Sequence, residues 1–187
     1  MKKWFWPLVW AGVMVSTGWL AMSPDEPAIR PATDKVQPVA AVETLPPPAD
    51  DTLQRLMEYA RELLGTPYHY ASHDPAVGFD CSGFVYHVYS TFGHDLPRSS
   101  RTMITAGERV PRVDARPGDL VFFRGTDPSS DAVGHVGIVT AGPTEHSTLR
   151  FIHASSSRRQ PEVKIDSLAS EHYRRRFLSV RRIRSLS

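Results

Sequence analysis

Apolar residues recur at helical spacing where the folded part of the chain begins. From Asp51 onward they fall on one face of a helix, at Leu53, Leu56, Met57, Ala60, Leu63 and Leu64. Asp50 or Asp51 can cap the first turn of this helix, and Gly65 can end it. The pattern therefore predicts an amphipathic first helix.

Two further helices are predicted after a loop. Turn-forming residues cover 66–78. A second helix is expected over about 81–92, with Asp80 as its N-cap and Gly93 as its stop. A short third helix, over about 99–106, completes the helical half of the chain.

The second half of the chain has the pattern of strands. Runs rich in β-branched and aromatic residues predict strands at about 119–123, 135–140, 149–154, 163–165 and 178–183. A polar loop, 125–134, separates the first two. Helices followed by strands predict an α+β fold in which the N-terminal helices pack on a central antiparallel β-sheet.

Two segments precede the folded domain, which is placed at 51–187. A positive start and an uncharged, mostly apolar stretch predict that residues 1–22 are a signal peptide or an N-terminal membrane anchor. Pro24 disfavours signal cleavage, which favours the anchor. Seven prolines within 23–50 predict a flexible linker. The protein is therefore expected to be exported to the periplasm or cell envelope, with membrane contact only through residues 1–22.

Composition limits the classes of function. The net charge of +2 is too small to predict binding to nucleic acid. Basic clusters at 174–176 and 181–184 are interpreted as a solvated face, and contact with an anionic polymer or membrane surface is the alternative. Cys81 is the one cysteine of the chain, so no internal disulfide can form. An unpaired cysteine in an exported protein suggests a reactive thiol.

Cys81 stands where a thiol can react. Its neighbours Asp80, Ser82 and Gly83 are polar or small, unlike the usual surroundings of a buried structural cysteine. At the start of a helix the dipole favours the thiolate, which is the attacking form. Gly83 is expected to leave the main chain open to a substrate. The pattern predicts that Cys81 is a nucleophile.

Two histidines lie on consecutive predicted strands downstream of this cysteine. A hairpin centred on the turn between them would put Gly137 opposite Phe151 and His135 opposite His153, as cross-strand neighbours. Gly137 would leave room beside His135. We expect His135 to be the base and His153 to bind its other ring nitrogen, as in nucleophile–base–orienter triads. The other histidines are predicted to be surface or core residues: His69, His73, His87, His94, His146 and His172.

A series of motifs resembles the NlpC family of papain-like peptidases, which cut the peptide stems of bacterial cell walls. The match runs through nearly all of residues 53–184. Its motifs are GTPYHY at 65–70, GFDCSG at 78–83, LPRSS at 96–100, PGDLVFF at 117–123, HVGIV at 135–139 and FIHA at 151–154. The resemblance implies a papain-like fold with the catalytic cysteine at a helix N-terminus.

The resemblance also implies functional residues. Tyr68 matches a tyrosine whose hydroxyl helps to stabilise the oxyanion; core packing is the alternative for this residue. The residues that fall where the family builds its substrate groove are Asp80, Ser82, Arg98 and Ser99. For Arg98 the alternative is a structural ion pair. The loop 71–75 and the turn between the histidine strands are longer than is usual, and both border the groove.

The sequence thus predicts a cysteine endopeptidase that hydrolyses an amide bond of peptidoglycan peptides through an acyl-enzyme. We expect it to use no metal or organic cofactor and to act as a monomer. One alternative is an amidase or transacylase that uses the same triad on another amide or ester. Another is a non-enzymatic wall-binding protein. Ser99 stands where related peptide-recycling enzymes have an acidic residue, which favours intact wall as the substrate.

Overall fold

The computed structural model describes residues 51–127 and 129–184. The predicted signal or anchor segment, 1–22, and the predicted linker, 23–50, lie outside these residues. The helices of the described part are α1 (Asp51–Glu62), α2 (Cys81–Thr91), α3 (Ser100–Met103) and α4 (Glu171–Arg176). The first three confirm predicted helices, whereas α4 was not predicted. Within the described ranges, no helix has the length and apolar character needed to cross a bilayer.

An antiparallel sheet forms the centre of the domain. Two short strands, β1 (His73–Asp74) and β2 (Gly78–Phe79), make a separate hairpin inside the predicted loop 66–78. The remaining strands form one sheet in the order β3-β8-β4-β5-β6-β7. Their bounds are β3 (Glu108–Val110), β4 (Leu120–Arg124), β5 (Val133–Ala141), β6 (Arg150–Ala154), β7 (Val163–Ser167) and β8 (Phe177–Arg182). The predicted α+β class is confirmed.

Apolar side chains cover both faces of this sheet. On one face, Phe122 and Ile138 belong to a buried cluster that includes residues of α1, α2 and α3. On the other face, Phe123 and Phe151 pack with Tyr173 of α4. Successive residues of a strand point to opposite faces, so burial on both sides explains the continuous apolar run of β4.

The register of the β5–β6 hairpin differs from the predicted one by two residues. Val139 pairs with Phe151, and a bulge follows Val139, so Gly137 and not His135 lies level with His153. A shift of two keeps every side chain on its predicted face, so the two histidines remain diagonal neighbours. The room expected beside Gly137 is filled, because a Cβ there would lie 3.1 Å from the Cβ of His153.

Two of the arginines interpreted as solvated are held by distant parts of the chain. Arg182 donates hydrogen bonds of 2.8 Å to each carboxylate oxygen of Asp119, whose exposure is 2%. Arg176 donates to the main-chain carbonyl of Arg124 at 3.0 and 2.8 Å. The solvated-face interpretation is wrong for both, because their partners lie 63 and 52 residues away in the sequence.

Candidate active site

Asp80 caps the helix that presents Cys81. Its Oδ1 accepts a 2.6 Å hydrogen bond from the N–H of Gly83, which satisfies one of the free amides of the first turn. The N–H of Asp80 in turn donates to the carbonyl oxygen of Ser72 at 2.9 Å. Gly83 is needed for this contact, because a Cβ there would lie 2.0 Å from the Ser72 oxygen. The main chain of Ser72, and not a substrate, therefore occupies the space beside Gly83.

The environment of the Cys81 thiol favours its protonated form. Burial raises the pKa of Cys81, and the negative charge of Asp80 raises it further. The main-chain N–H groups of Val136, Ser82 and Cys81 itself act in the opposite direction. The predicted effect of the helix start is thus present but smaller than that of burial. The contact with Val136 places the thiol beside β5, one residue along the chain from His135.

His135 and His153 are in direct contact. The Nε2 of His135 lies 2.7 Å from the Nδ1 of His153, so the predicted hydrogen bond between the two rings is confirmed. His135 is 8% exposed and His153 is fully buried. Burial, followed by the neighbouring imidazole of His153, holds the pKa of His135 well below its ordinary value of 6.5. Burial also lowers the pKa of His153, so both rings are neutral at neutral pH.

A carboxylate that sequence reasoning missed lies beyond the second histidine. The Oδ2 of Asp166 is 3.0 Å from the Nε2 of His153, and the Tyr173 hydroxyl donates to the same oxygen at 3.0 Å. Lys164 lies 3.3 Å from this oxygen as well. The hydrogen bond to His153 is the main cause of a strongly lowered pKa for Asp166. Asp166 is therefore ionised.

The ionised carboxylate determines where the protons of both histidines lie. Asp166 can only accept, so the Nε2 of His153 donates to it and the Nδ1 of a neutral His153 is an acceptor. The Nε2 of His135 must then donate to that acceptor. A neutral His135 that is protonated on Nε2 has a free lone pair on Nδ1. This ring is consequently prepared to accept a proton at Nδ1.

Tyr68 lies within the electrostatic reach of the thiol. It is partly buried, and burial raises its pKa to about 12, with further contributions from the charges of Cys81, Asp80 and Tyr70. The main chain of Tyr68 forms a bridge with Phe79 of β2. The phenol is thus held in its protonated form near Cys81, where its O–H can donate a hydrogen bond.

Three of the predicted groove residues form one cluster. Arg98 binds both carboxylate oxygens of Asp80, at 3.1 and 2.9 Å, and also lies 3.1 Å from the Ser82 hydroxyl. The ion pair considered as an alternative for Arg98 is therefore present. Ser99 lies outside this cluster, because its hydroxyl caps α3 and contacts Thr102.

The histidines predicted to be surface or core residues include one that borders the site. His172 contacts Arg176 and lines a cavity beside His135. His87 instead lies 2.7 Å from the Tyr59 hydroxyl, in the packing of α1 against α2.

The comparison with sequence families decides what kind of domain this is. The profile of the NlpC/P60 family matches residues 65–182, a span that contains every site residue described above. The chain belongs to the NlpC/P60 family.

Relatives within the NlpC/P60 family are similar over most of this chain. The chain is 32% identical to gamma-DL-glutamyl hydrolase of Bacillus subtilis, over 71% of this chain and 30% of that protein. It is 31% identical to murein DD-endopeptidase MepH of Escherichia coli, over 68% of this chain and 44% of that protein. An NlpC/P60 family protein of Bacillus cereus is similar in structure, with a TM-score of 0.59 at 31% identity over 73% of this chain and 41% of that chain. The chain covers less than half of each of these proteins. The similarity to solved NlpC/P60 structures confirms the predicted papain-like fold.

A metal site in this NlpC/P60 domain would need several ligating side chains close together. In the part of the chain that the structure describes, no group of three or more His, Cys, Asp or Glu side chains is arranged to hold a metal ion. The polar groups around Cys81 and His135 are instead hydrogen-bonded to one another and to the main chain.

Proposed function

We propose that this chain is a cysteine peptidase that hydrolyses an amide bond in peptidoglycan peptides. One observation carries the proposal: the chain's single cysteine starts α2 and accepts from the main chain of Val136, the residue after His135, which is hydrogen-bonded through His153 to Asp166. Membership of the NlpC/P60 family supports the same conclusion, since relatives are named as murein endopeptidases and peptidases. The substrate class is taken from those relatives.

The reaction begins from a neutral pair. Because burial raises the pKa of Cys81 and lowers that of His135, the thiol keeps its proton until a substrate is bound. His135 Nδ1 then accepts this proton as Cys81 Sγ attacks the carbonyl carbon. The tetrahedral intermediate collapses, and His135 returns the proton to the leaving nitrogen. A water, activated by the same imidazole, hydrolyses the thioester.

Two further groups assist these steps in our proposal. Tyr68 donates a hydrogen bond from its hydroxyl to the developing oxyanion, supported by its position near Cys81 and its raised pKa. Asp166, with the Tyr173 hydroxyl on the same oxygen, is a positioning residue: it keeps His153 an acceptor for His135 and stabilises the imidazolium that forms.

Substrate binding is proposed for the cluster of Asp80, Ser82 and Arg98 and for Ser99. Arg98 neutralises Asp80 in part, yet its side chain remains 35% exposed, so it can still bind a polar group of the peptide. Ser99 caps α3 through its side-chain oxygen, and its contribution is to fix the position of Arg98 next to it.

Digestion of purified sacculi tests the proposed function. The wild-type protein should release muropeptides whose new amino and carboxyl ends, read by mass spectrometry, identify one cleaved peptide bond. Cys81→Ala, prepared in the same way, should release none. New ends between glycan and peptide would instead show an amidase, and a product carrying an added amine would show transacylation. Intact sacculi with the wild-type protein would refute hydrolysis of the wall.

The N-terminal region leads to a separate proposal about location. Residues 1–22 are proposed to anchor the protein, and residues 23–50 to act as a tether between the membrane and the domain. A proline-rich tether extends by up to about 3.1 Å per residue, which would restrict cutting to wall near the membrane. Cell fractionation of the full chain, with sequencing of the mature N-terminus, tests this; a soluble product that begins near Pro24 would refute the anchor.

A further inference from the structure

A polar cavity of about 680 Å³ opens beside His135. Its wall includes Gly134, Thr126 and the serines at 155–157. Cys81, Tyr68 and the Asp80–Arg98 cluster do not line it. The cavity therefore borders the His135 imidazole, whereas the thiol and the proposed groove cluster are not part of its wall.

The charge of this cavity is predominantly positive. Arg159, Lys164 and Arg176 line it, against a single carboxylate, Asp166. Lys164 lies 3.3 Å from Asp166, so these two charges offset each other. Among residues 51–127 and 129–184, neither Arg159 nor Arg176 forms an ion pair with a carboxylate. Two guanidinium groups thus face the cavity without an acidic partner.

Arg176 is held in place by neutral groups. Its Nε and one terminal nitrogen donate to the carbonyl oxygen of Arg124, and its other terminal nitrogen contacts His172. Burial lowers the pKa of Arg176, but a guanidinium remains charged at neutral pH. A half-buried cation that is fixed in orientation and lacks an anion is suited to bind one.

We propose that this cavity binds the leaving half of the substrate and that Arg159 and Arg176 bind a free carboxylate on it. The inference rests on the proposed function, in which His135 delivers a proton to the leaving nitrogen. The leaving fragment must then lie on the His135 side, where this cavity begins. Hydroxyl groups of the cavity serines supply further hydrogen bonds to the carboxylate or to the peptide. With this contact, the protein hydrolyses bonds to a leaving residue that carries a free carboxylate in preference to other bonds.

A matched pair of substrates tests the inference. The muropeptide identified by the sacculus digest is prepared with the carboxyl group of its leaving residue either free or as the carboxamide. The ratio of kcat/KM for the two peptides measures the contribution of the carboxylate alone. Any effect of a variant on the thiol is the same for both peptides and cancels in the ratio. We expect the wild-type protein to prefer the carboxylate by about tenfold, the lower end for one charged hydrogen bond.

Arginine variants assign this preference to the cavity. Arg159→Gln should reduce it to about threefold, since an exposed guanidinium is partly screened, and Arg176→Gln should nearly remove it. Arg158→Gln is the control, because Arg158 is an exposed neighbour that does not line the cavity. The melting temperature of each variant is measured alongside, and Arg159→Gln keeps the test decisive if Arg176→Gln does not fold.

The outcomes separate the two proposals. Equal kcat/KM for both peptides in the wild-type protein would overturn the carboxylate site and leave the hydrolase standing. A preference that Arg159→Gln and Arg158→Gln change equally would also overturn the site. Hydrolysis of neither peptide, with sacculi intact as well, would refute the proposed function and the inference together.

Discussion

The Nε2 of His153 lies 3.0 Å from the carboxylate of Asp166. The Oδ2 of Asp166 also accepts from Tyr173 and lies close to Lys164, so these three partners within the described residues share one carboxylate oxygen. The proton on each of the two histidines is fixed by this single acceptor. In the proposed mechanism Asp166 therefore affects the reaction measurably, although two hydrogen bonds separate it from the His135 ring.

Removing the Asp166 carboxylate should slow the chemical step. Asp166→Ala is expected to lower kcat by about a hundredfold. Without the carboxylate, a neutral His153 can carry its proton on Nδ1, and this nitrogen then no longer accepts from His135. Asp166→Asn should lose less, since a carboxamide oxygen can occupy the Oδ2 position. Steady-state kinetics on the released muropeptide measures both variants.

A control and a second readout accompany these variants. Asp131→Ala removes a carboxylate whose side chain is 87% exposed and pairs with Arg124, so kcat should not change. Asp166 also raises the pKa of His135, so the acid limb of the pH profile should move to lower pH in Asp166→Ala. An unchanged kcat together with an unchanged limb would refute a positioning role.

Cys81 and His135 should be nearly equivalent in mutagenesis. Cys81→Ala is expected to abolish hydrolysis, and His135→Ala should be almost as damaging, because members of such a unit do not act additively. Sacculus hydrolysis is measured with circular dichroism to verify the fold. Turnover above a trace in Cys81→Ala, in a preparation free of contaminating hydrolases, would contradict the nucleophile assignment.

Loss of the Tyr68 hydroxyl should affect turnover more than binding. Tyr68→Phe is expected to lower kcat by roughly tenfold to a thousandfold with little change in KM, since an oxyanion contact forms only in the transition state. The exposed Tyr70 provides the control, as Tyr70→Phe removes a hydroxyl from a side chain that is 81% exposed. Wild-type kcat in Tyr68→Phe would leave this residue a packing role only.

The pH dependence of kcat/KM should have its acid limb below 6.5. The proposed base is neutral His135, whose pKa burial holds well below 6.5. A lowered pKa means that the imidazole is already unprotonated at mildly acidic pH, so activity is lost only when pH falls through that lowered value. Rates across the acidic and neutral range, with the fold verified at each pH, measure the limb. A limb at or above 6.5 would argue for a more exposed base.

Gly83→Ala should destabilise the domain. A Cβ at this position would lie 2.0 Å from the Ser72 carbonyl oxygen, and main chain has little freedom to move away. Overpacking of this kind costs about 1–3 kcal/mol. Chemical denaturation measures the change, with Gly125→Ala as the control, because a Cβ there meets no atom closer than 4.0 Å. Equal stability of the two variants would show that the Ser72 loop is not locked against α2.

Local sequence patterns predicted the main helices and strands and the positions of the two histidines. They did not predict the carboxylate that binds the second histidine. His135 and His153 could be placed on one face because strand alternation has a period of two, and an error of two in register preserves that face. Asp166 was missed because the predicted strand ended at Ile165, one residue before it. Pairing of β7 with β6, which brings Asp166 to His153, joins segments with no shared local signal.

Burial of charge was the other unpredicted property. Arg176 belongs to a run of arginines that the sequence alone assigns to solvent, and its partner is the carbonyl of Arg124 at the end of β4. The role of Gly83 was also misjudged, since its neighbour across the fold is Ser72. In each case the deciding contact is made by main-chain atoms, whose positions composition does not encode.

The position of β8 has a consequence for biosynthesis. This strand follows β4 to β7 in the sequence, yet it lies between β3 and β4 in the sheet. Chains emerge from their N-terminus, so β4 keeps an unpaired edge until residues 177–182 are available to insert beside it. A product that ends before residue 177 would carry Cys81 on α2 and both histidines on an unfinished sheet. Under the proposed function, hydrolysis therefore requires that residues 177–182 have been synthesised and inserted beside β4.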